Sequence, residues 1–257
     1  MIDAHCHLTS ARFNPDRSKV IETARRDLEA IILSATHPNQ VAEAFGLCDK
    51  YPLFLYATLG LHPIFTAEIG DSELEQYLRF IKLNRSRIVG IGEIGLDYHR
   101  VTDSHSIGRM REIFAEFLQL AKELQLPVVL HLRNAIDEGL EMVLRSGVEQ
   151  AMFHCFTGTR LQAEEITSNG YYVSIATNIL RSRNIKKAVG KIPLSQVLTE
   201  TDSPYLGPEK TRNVPQNVSL VIDKLAEIRS LPVEEVNSIT SANARRLFNL
   251  PKRNAVV

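Results

Sequence analysis

The sequence is short of the features that mark secreted, membrane-bound and strongly charged proteins. It has 3 cysteines in 257 residues, a small and odd number that argues against a disulfide framework and for a reducing cytosol. No apolar run reaches the roughly 20 residues that a membrane-spanning helix needs. Lys and Arg together number 30, as do Asp and Glu, so the formal net charge is zero. A whole-molecule attraction to a polyanion is therefore excluded, and any contact with nucleic acid has to be local.

No signal peptide is expected, because Met1 is followed directly by Ile2-Asp3-Ala4-His5 and not by a basic and then an apolar segment. No linker, repeat or low-complexity stretch divides it. Hydrophobic residues make up 44% of the chain, which is enough for a sizeable core. We therefore expect a cytoplasmic protein with a single domain over residues 1–257, no membrane association and no obligate protein partner.

Segments with the apolar pattern of buried parallel strands alternate with segments of helical periodicity. The predicted strands are Met1–His5, Ala30–Ser34, Leu53–Leu61, Ile88–Glu93, Pro127–His131, Ala151–His154, Tyr171–Ile175 and Val197–Asp202. The predicted helices are Pro15–Leu28, Asn39–Lys50, Ser72–Leu83, Ile107–Leu124, Ala135–Leu144, Arg160–Ser168, Asn184–Val189, Pro215–Arg229 and Pro232–Phe248. This order predicts an α/β TIM (β/α)8 barrel with an extra C-terminal helix, and a doubly wound open sheet is the alternative. The Lys252-Arg253 tail is predicted to be solvated.

Side chains of metal-binding types end five of the predicted strands. Active sites of TIM barrels lie at the carboxyl ends of the strands, so these side chains are expected on one rim. Buried His, Glu and Asp side chains need a partner, and a divalent cation is the simplest one. Nitrogen and oxygen ligands without sulfur suit Zn, Mn, Mg, Co or Fe. The predicted metal ligands are His5, His7, Glu93, His131, His154 and Asp202.

The spacing of these residues predicts two cation positions. His5 and His7 are two apart on a strand, so alternation puts both imidazoles on one face and Cys6 on the other. His131 and His154 end neighbouring strands and favour a second position. Asp202 is expected to join the first position, and the two oxygens of Glu93 can bridge both.

Glu93 lies in Gly90-Ile91-Gly92-Glu93-Ile94-Gly95, which matches the G-x-G-x-x-G pattern of dinucleotide sites. We reject that interpretation because the glycines do not open a helix; residues 98–106 are predicted to form a polar loop. A carboxylate inside the turn would also repel a pyrophosphate. The glycines are expected to make room for a metal and a substrate.

Two divalent ions about 4 Å apart form a clamp for an in-line displacement at phosphorus, with a hydroxide between them as the nucleophile. Asp202 is a candidate catalytic residue that would accept a proton from bound water. Glu200 shares its face one layer deeper and is a weaker catalytic candidate, since it is equally consistent with a hydrogen-bonded core residue. His62 would bind a substrate oxygen or protonate a leaving group, unless it is simply a loop histidine. Arg133 would clamp a substrate phosphate.

In this order, the motifs of the chain resemble the TatD family of metal-dependent deoxyribonucleases, which belong with the amidohydrolase-like TIM barrels. The resemblance covers nearly the whole chain. It rests on Asp3-Ala4-His5-Cys6-His7, Gly60-Leu61-His62-Pro63, Gly92-Glu93-Ile94-Gly95-Leu96-Asp97-Tyr98, Leu126–Arg133, His154-Cys155-Phe156-Thr157-Gly158, Glu200–Leu206, Arg212-Asn213-Val214-Pro215 and Asn243–Phe248. Val214 departs from the acidic residue usual in the family, and Ile64 stands where many members have a second histidine. Neither departure removes a predicted metal ligand.

The resemblance implies a two-metal site and a nuclease activity. By similarity, His5, His7, Glu93 and Asp202 would hold one ion, and Glu93, His131 and His154 the other. The implied substrate is DNA, cleaved at phosphodiester bonds near single-stranded ends; the metals would be Zn, Mg or Mn. The alternatives are an amidohydrolase-like enzyme acting on a small phosphoester, lactone or amide, and a metal- or nucleic-acid-binding protein without catalysis.

Overall fold

Eight parallel strands form one sheet whose strand order follows the order of the chain. The structure is a computed structural model that describes residues 1–251, so the Lys252-Arg253 tail lies outside the described residues. The strands are β1 (Ile2–Cys6), β2 (Ala30–Ala35), β3 (Leu55–Leu59), β4 (Ile88–Asp97), β5 (Val128–Arg133), β6 (Ala151–Phe153), β7 (Tyr172–Ile175) and β8 (Val197–Thr199). Every neighbouring pair from β1·β2 to β7·β8 is parallel.

Helices connect successive strands on the outside of the sheet. The α-helices are α1 (Arg17–Asp27), α2 (Val41–Lys50), α3 (Asp71–Leu83), α4 (Ser104–Leu124), α5 (Ile136–Ser146), α6 (Arg160–Ser168), α7 (Arg183–Val189), α8 (Val218–Arg229) and α9 (Val233–Leu247). Short 3-10 turns lie at Ala11–Phe13, Pro38–Gln40, Pro63–Phe65, Arg85–Arg87, Thr177–Leu180, Leu194–Gln196, Pro208–Lys210 and Pro215–Asn217. Within residues 1–251, no helix combines the length and the apolar character needed to cross a bilayer.

The ring is completed where the chain continues beyond β8 and runs beside β1. Cys6 and Ser203 form an isolated parallel bridge, and the His7 amide donates to the Ser203 carbonyl at 2.7 Å. The Asp202 amide donates to the His5 carbonyl at 3.1 Å. The predicted TIM barrel is thereby confirmed, and its seam brings the first two histidines beside Asp202.

The observed bounds differ from the predicted ones at several elements, among them β4, α4 and β8. Strand β4 continues past the predicted end at Glu93 as far as Asp97. Helix α4 begins at Ser104, inside the segment predicted as loop, because the Asp103 carboxylate accepts a hydrogen bond from the Ser106 amide and caps the helix. Strand β8 is shorter than predicted and ends at Thr199.

The apolar core has two parts, one on each side of the strands. The larger part fills the space between the strands and the surrounding helices and includes the buried face of α4. The smaller part lies inside the barrel, where α9 and the residues after it close one end. Its members are Ile2, Ala4, Ala30, Ile32, Val129, Met152, Tyr172, Leu198, Ala244, Leu247, Phe248 and Leu250. The predicted C-terminal helix therefore seals the barrel opposite the rim that carries the candidate ligands.

Replacing Phe248 by Ala should destabilise the protein strongly, because this ring is only 2% exposed within the inner core. Loss of a buried Phe side chain costs about 3–5 kcal/mol. The matched control is Leu83→Ala, at a side chain that is 76% exposed on α3 and should change stability by less than about 0.5 kcal/mol. Urea unfolding followed by far-ultraviolet circular dichroism measures both. Equal unfolding midpoints for the two variants would contradict the proposed seal.

Candidate metal centre

The six predicted metal ligands meet at the carboxyl-end rim, and the carboxylate of Glu93 lies between two groups of them. Its Oε2 atom is 3.4 Å from His5 Nε2 and 3.6 Å from His7 Nε2. Its Oε1 atom is 2.8 Å from His131 Nδ1 and 3.0 Å from His154 Nε2. Each oxygen of one carboxylate therefore faces its own pair of predicted imidazole ligands, and Oε1 also lies 3.4 Å from His62 Nε2.

Asp202 completes the group that contains His5 and His7. Its Oδ1 atom is 3.2 Å from His7 Nε2 and 3.9 Å from His5 Nε2. His5 is fully buried, whereas the side chains of His7 and Asp202 are 13% and 14% exposed. His131 is 19% exposed. The cluster is therefore closed underneath and open to solvent along His7, Asp202 and His131.

The position of Glu93 depends on the glycines on either side of it in β4. Gly92 has a φ of +155° and Gly95 a φ of +142°, both disfavoured for residues with a side chain. A Cβ on Gly92 would lie 2.6 Å from Val129 Cβ, and one on Gly95 would lie 2.1 Å from the His131 carbonyl oxygen. The pairing of β4 with β5 also shifts register between Ile91 and Ile94.

The glycines of the G-x-G-x-x-G pattern thus lie inside a strand, consistent with the rejection of a dinucleotide site. The reason expected for them was wrong, however. At Gly92 and Gly95, the absent side chains make room for the backbone and side chains of β5 and not for a ligand. Close packing of the two strands is what brings His131 to Glu93.

The chemistry of this cluster fits divalent cations. Glu93 is 2% exposed, and its Oε2 atom has no hydrogen-bond partner in residues 1–251. Burial raises the pKa of Glu93, but the attraction of His154 and His62, together with hydrogen bonds from neighbouring imidazoles, outweighs burial and lowers this pKa well below its usual range.

Burial lowers the pKa of His5, which favours the neutral imidazole that a metal requires. Burial lowers the pKa of His7, His131 and His154, but hydrogen bonds to neighbouring carboxylates and the attraction of these groups outweigh burial and raise the pKa of all three. Positive charge is therefore favoured around Glu93, and a divalent cation can supply that charge once the imidazoles release their protons.

Asp97 is a functional candidate that the sequence analysis did not assign. Its Oδ2 atom is 3.0 Å from His131 Nε2, and its Oδ1 atom accepts hydrogen bonds from the amides of His99 and Arg100. Burial raises the pKa of Asp97, but the hydrogen bond and charge of His131, with the two amide donors, bring the pKa to about 2. Asp97 is thus placed to accept the Nε2 proton of His131, with Nδ1 facing Glu93. The only sequence signal for this contact was the position of Asp97 at the end of the glycine-containing motif.

Glu200 makes the equivalent contact on the next histidine. Its Oε1 atom is 3.2 Å from His154 Nδ1 and accepts a hydrogen bond from the Cys155 amide at 2.9 Å. It is fully buried behind His154 and does not face the opening with Asp202. The geometry favours a positioning role for Glu200 over the direct catalytic role considered from the sequence. Carboxylate–imidazole pairs of this kind fix the tautomer and orientation of metal-binding histidines.

His62 lies at the edge of the cluster, on the turn after β3. Its Nδ1 atom accepts a hydrogen bond from the Ile64 amide, which places the ring proton of the neutral imidazole on Nε2. That Nε2 atom is 3.4 Å from Glu93 Oε1 and 3.2 Å from His131 Nδ1. Burial lowers the pKa of His62 to about 3. Of the two roles considered, this environment favours a neutral N–H donor over a proton-donating imidazolium.

Arg133 ends β5 at the rim and is exposed. Its guanidinium forms no hydrogen bond or ion pair with the rest of residues 1–251, so it is free to meet a substrate anion. A cavity of about 520 Å³ lies nearby, between the segments that follow β4, β5 and β6. Its walls include Tyr98, Asn134 and Thr157. On this side of the cluster, the rim thus offers both the positively charged Arg133 side chain and a recess.

Comparison with known proteins gives a consistent set of relatives. The sequence profile described as TatD related DNase matches residues 2–249. An uncharacterized metal-dependent hydrolase of Methanocaldococcus jannaschii is 38% identical, over 96% of this chain and 96% of the relative. The deoxyribonuclease TATDN3 of Homo sapiens is 33% identical, over 96% of this chain and 94% of the relative. The 3′-5′ ssDNA/RNA exonuclease TatD of a Rahnella species is 33% identical, over 98% of this chain and all of the relative.

A solved structure shares the whole architecture. The crystal structure of YjjV, a TatD homologue from Escherichia coli, superposes with a TM-score of 0.90 at 31% sequence identity. The match covers 98% of each chain. The barrel and its rim segments therefore correspond to those of this relative, and neither chain has a large insertion.

Replacing Asp97 by Asn should weaken divalent metal binding at the side of the cluster that holds His131. The neutral amide polarises the imidazole less and no longer selects its tautomer, and loss of such a partner typically costs about 10- to 100-fold in metal affinity. Isothermal titration of the chelator-treated protein with Zn²⁺ or Mn²⁺ measures this affinity. The control is Asp49→Asn, which removes a carboxylate paired with Arg87 on the surface and should leave the affinity unchanged. Equal affinities for both variants would show that Asp97 does not support a metal ligand.

Proposed function

The chain belongs to the TatD related DNase family, and from this premise we propose that it is a deoxyribonuclease that hydrolyses phosphodiester bonds near single-stranded DNA ends with two divalent ions. Metal-dependent hydrolases and nucleases among its relatives support the reaction class. The relative named as a 3′-5′ ssDNA/RNA exonuclease supports single strands as the substrate. The preferred ions are Zn²⁺, Mg²⁺ or Mn²⁺.

One observation carries the proposal: each oxygen of Glu93 faces its own pair of the predicted imidazole ligands, His5 with His7 and His131 with His154. In this arrangement His5, His7, Glu93 and Asp202 would hold one ion, and Glu93, His131 and His154 the other. When bound, such a pair of ions lowers the pKa of water and neutralises charge on the phosphodiester. The protein's part is to keep the ligands rigid, buried underneath and open to solvent on one side.

Three side chains at the opening have the chemistry to act on the substrate. Asp202 directs Oδ1 toward His7, and its partly exposed carboxylate would accept a proton from the attacking water. His62 would donate its Nε2–H to a phosphate oxygen. Arg133 would pair with a phosphate of the DNA backbone.

We also propose that residues 1–257 act as a single hydrolase domain in the cytoplasm. The three cysteines are unpaired, and Cys6 is buried, as expected for a reducing compartment. The substrate contact would be local to the rim because the formal net charge is zero.

The proposal is tested by release of nucleotides from end-labelled single-stranded DNA in a series of Mg²⁺, Mn²⁺ and Zn²⁺, with a chelator control. Glu93→Gln should lower kcat/KM by more than about 100-fold, because loss of a supporting carboxylate alone costs about 10- to 100-fold and Glu93 faces both ligand groups. The control is Glu22→Gln, at an exposed residue of α1 whose carboxylate pairs with Arg25.

Retained nuclease activity in Glu93→Gln would refute this site. Hydrolysis of small phosphoesters, lactones or amides far above that of DNA would refute the substrate and leave the site standing. A chelator that fails to stop DNA hydrolysis would refute metal dependence.

His62→Ala should lower kcat on DNA by about 100-fold, the usual loss when one donor to a developing negative charge is removed. Metal content should stay at the wild-type level, because the N–H tautomer of His62 offers no free lone pair toward the cluster. Elemental analysis of the purified variant by plasma mass spectrometry measures bound metal. A loss of one ion equivalent would instead identify His62 as a ligand.

A further inference from the structure

Tyr205 is an exposed aromatic residue beside the candidate metal centre. Its side chain is 48% exposed, and its ring centroid lies 5.7 Å from that of His7. In residues 1–251, the other exposed aromatic side chain is Phe80, on α3. Single exposed aromatic residues are common on protein surfaces, so what distinguishes Tyr205 is its place next to a predicted metal ligand.

The backbone around Tyr205 is held firmly. The Tyr205 amide donates to the Asp202 carbonyl at 2.9 Å, and the Pro204 carbonyl accepts from the Asn213 amide at 3.2 Å. Asn213 is fully buried, and its side chain donates to the Thr201 carbonyl at 2.8 Å. The ring is therefore presented from a fixed support, which reduces the entropy lost when a ligand packs on it.

Arg12 lies next to this ring. Its guanidinium carbon is 5.9 Å from the Tyr205 ring centroid, within cation–π range. The Arg12 side chain makes no hydrogen bond or ion pair with the described part of the chain. Its backbone is anchored, because Arg212 donates to the Arg12 carbonyl at 2.8 Å and pairs with Asp16. The unpaired guanidinium of Arg12 and the exposed ring of Tyr205 are thus neighbours, and the Tyr205 ring lies next to His7.

We propose that Tyr205 and Arg12 form a base-stacking subsite for single-stranded nucleic acid, which rests on the proposed function and extends it. The Tyr205 ring would stack on a nucleobase, and Arg12 would pair with the adjoining phosphate or lie over the same base. Stacking accepts every base, so this subsite favours unpaired strands over any one sequence. A base inside a duplex has both faces covered and is excluded.

The strand order supports a substrate that spans the rim. Arg12 follows β1 and Arg133 ends β5, and these strands lie on opposite sides of a ring of eight. The cavity lined by Tyr98 and Asn134 is on the side of Arg133. A single-stranded nucleic acid that reaches from that cavity to Tyr205 would place a phosphate over Glu93 and the imidazoles around it.

The test compares kcat/KM of variants on single-stranded oligonucleotides in the metal-loaded enzyme. Tyr205→Ala should reduce kcat/KM by about 5- to 140-fold, the range expected from loss of one base–aromatic stack. Tyr205→Phe keeps the ring and should recover most of that loss. The control is Phe80→Ala, which removes the exposed aromatic side chain on α3 and should change kcat/KM by less than about twofold. Bound metal, measured for every variant, should equal that of the wild type.

An abasic scan identifies stacking directly. One nucleotide at a time in the oligonucleotide is replaced by a tetrahydrofuran residue, which keeps the backbone and removes the base. At one position, the wild type should lose as much kcat/KM as Tyr205→Ala loses on the intact strand. At that position, Tyr205→Ala should lose nothing further, because both changes remove the same contact.

Additive losses at every position, or equal kcat/KM for Tyr205→Ala and the wild type, would overturn the subsite while leaving the nuclease assignment intact. A wild-type enzyme that releases no nucleotides from DNA with any metal would overturn both. Loss of bound metal in Tyr205→Ala would assign Tyr205 to support of the metal cluster and overturn the subsite.

Discussion

A buried, ionised carboxylate surrounded by imidazoles is the constraint on which the rest of this structure depends. Glu93 is almost inaccessible to water, so its charge is tolerated only with positive partners on both of its oxygens. The glycines at 92 and 95 let β5 approach closely enough to supply one set of partners. The seam between β1 and the segment after β8 supplies the other set. The barrel thus places both sets of partners around this one side chain.

The two halves of the cluster are supported differently. His131 and His154 each receive a carboxylate on the ring nitrogen that points away from Glu93, from Asp97 and Glu200 respectively. The outward nitrogen of His5, Nδ1, is buried without a hydrogen-bond partner in the described chain. The imidazoles of His131 and His154 are therefore made more basic and fixed in orientation by these carboxylates. His5 and His7 are held by packing and by Asp202. The two groups of predicted ligands therefore present different electrostatic fields to a bound cation.

Much of the fold and the convergence of the candidate ligands could be predicted from sequence because parallel strands bring their carboxyl ends to one rim. Apolar runs gave the strands, and ligand-type residues at their ends gave the cluster. The continuation of β4 to Asp97 was missed because glycines interrupt the apolar pattern that defines a strand. Asp97 and Glu200 contact histidines that lie on other strands, and strand alternation carries no information about such partners. The tautomer of His62 depends on an amide in its own turn, and the neighbours Tyr205 and Arg12 come from opposite ends of the chain.

The seam between β1 and the segment after β8 also determines when, during translation, the group of His5, His7 and Asp202 can assemble. The candidate ligand group formed by His5, His7 and Asp202 comes from both ends of the barrel sequence, and the bridge between Cys6 and Ser203 aligns its members. A nascent chain on the ribosome displays its two leading histidines long before the carboxylate that completes their group has been translated. Incomplete polypeptides and early proteolytic fragments therefore lack part of this residue group, which is complete only once nearly the entire ring has been made.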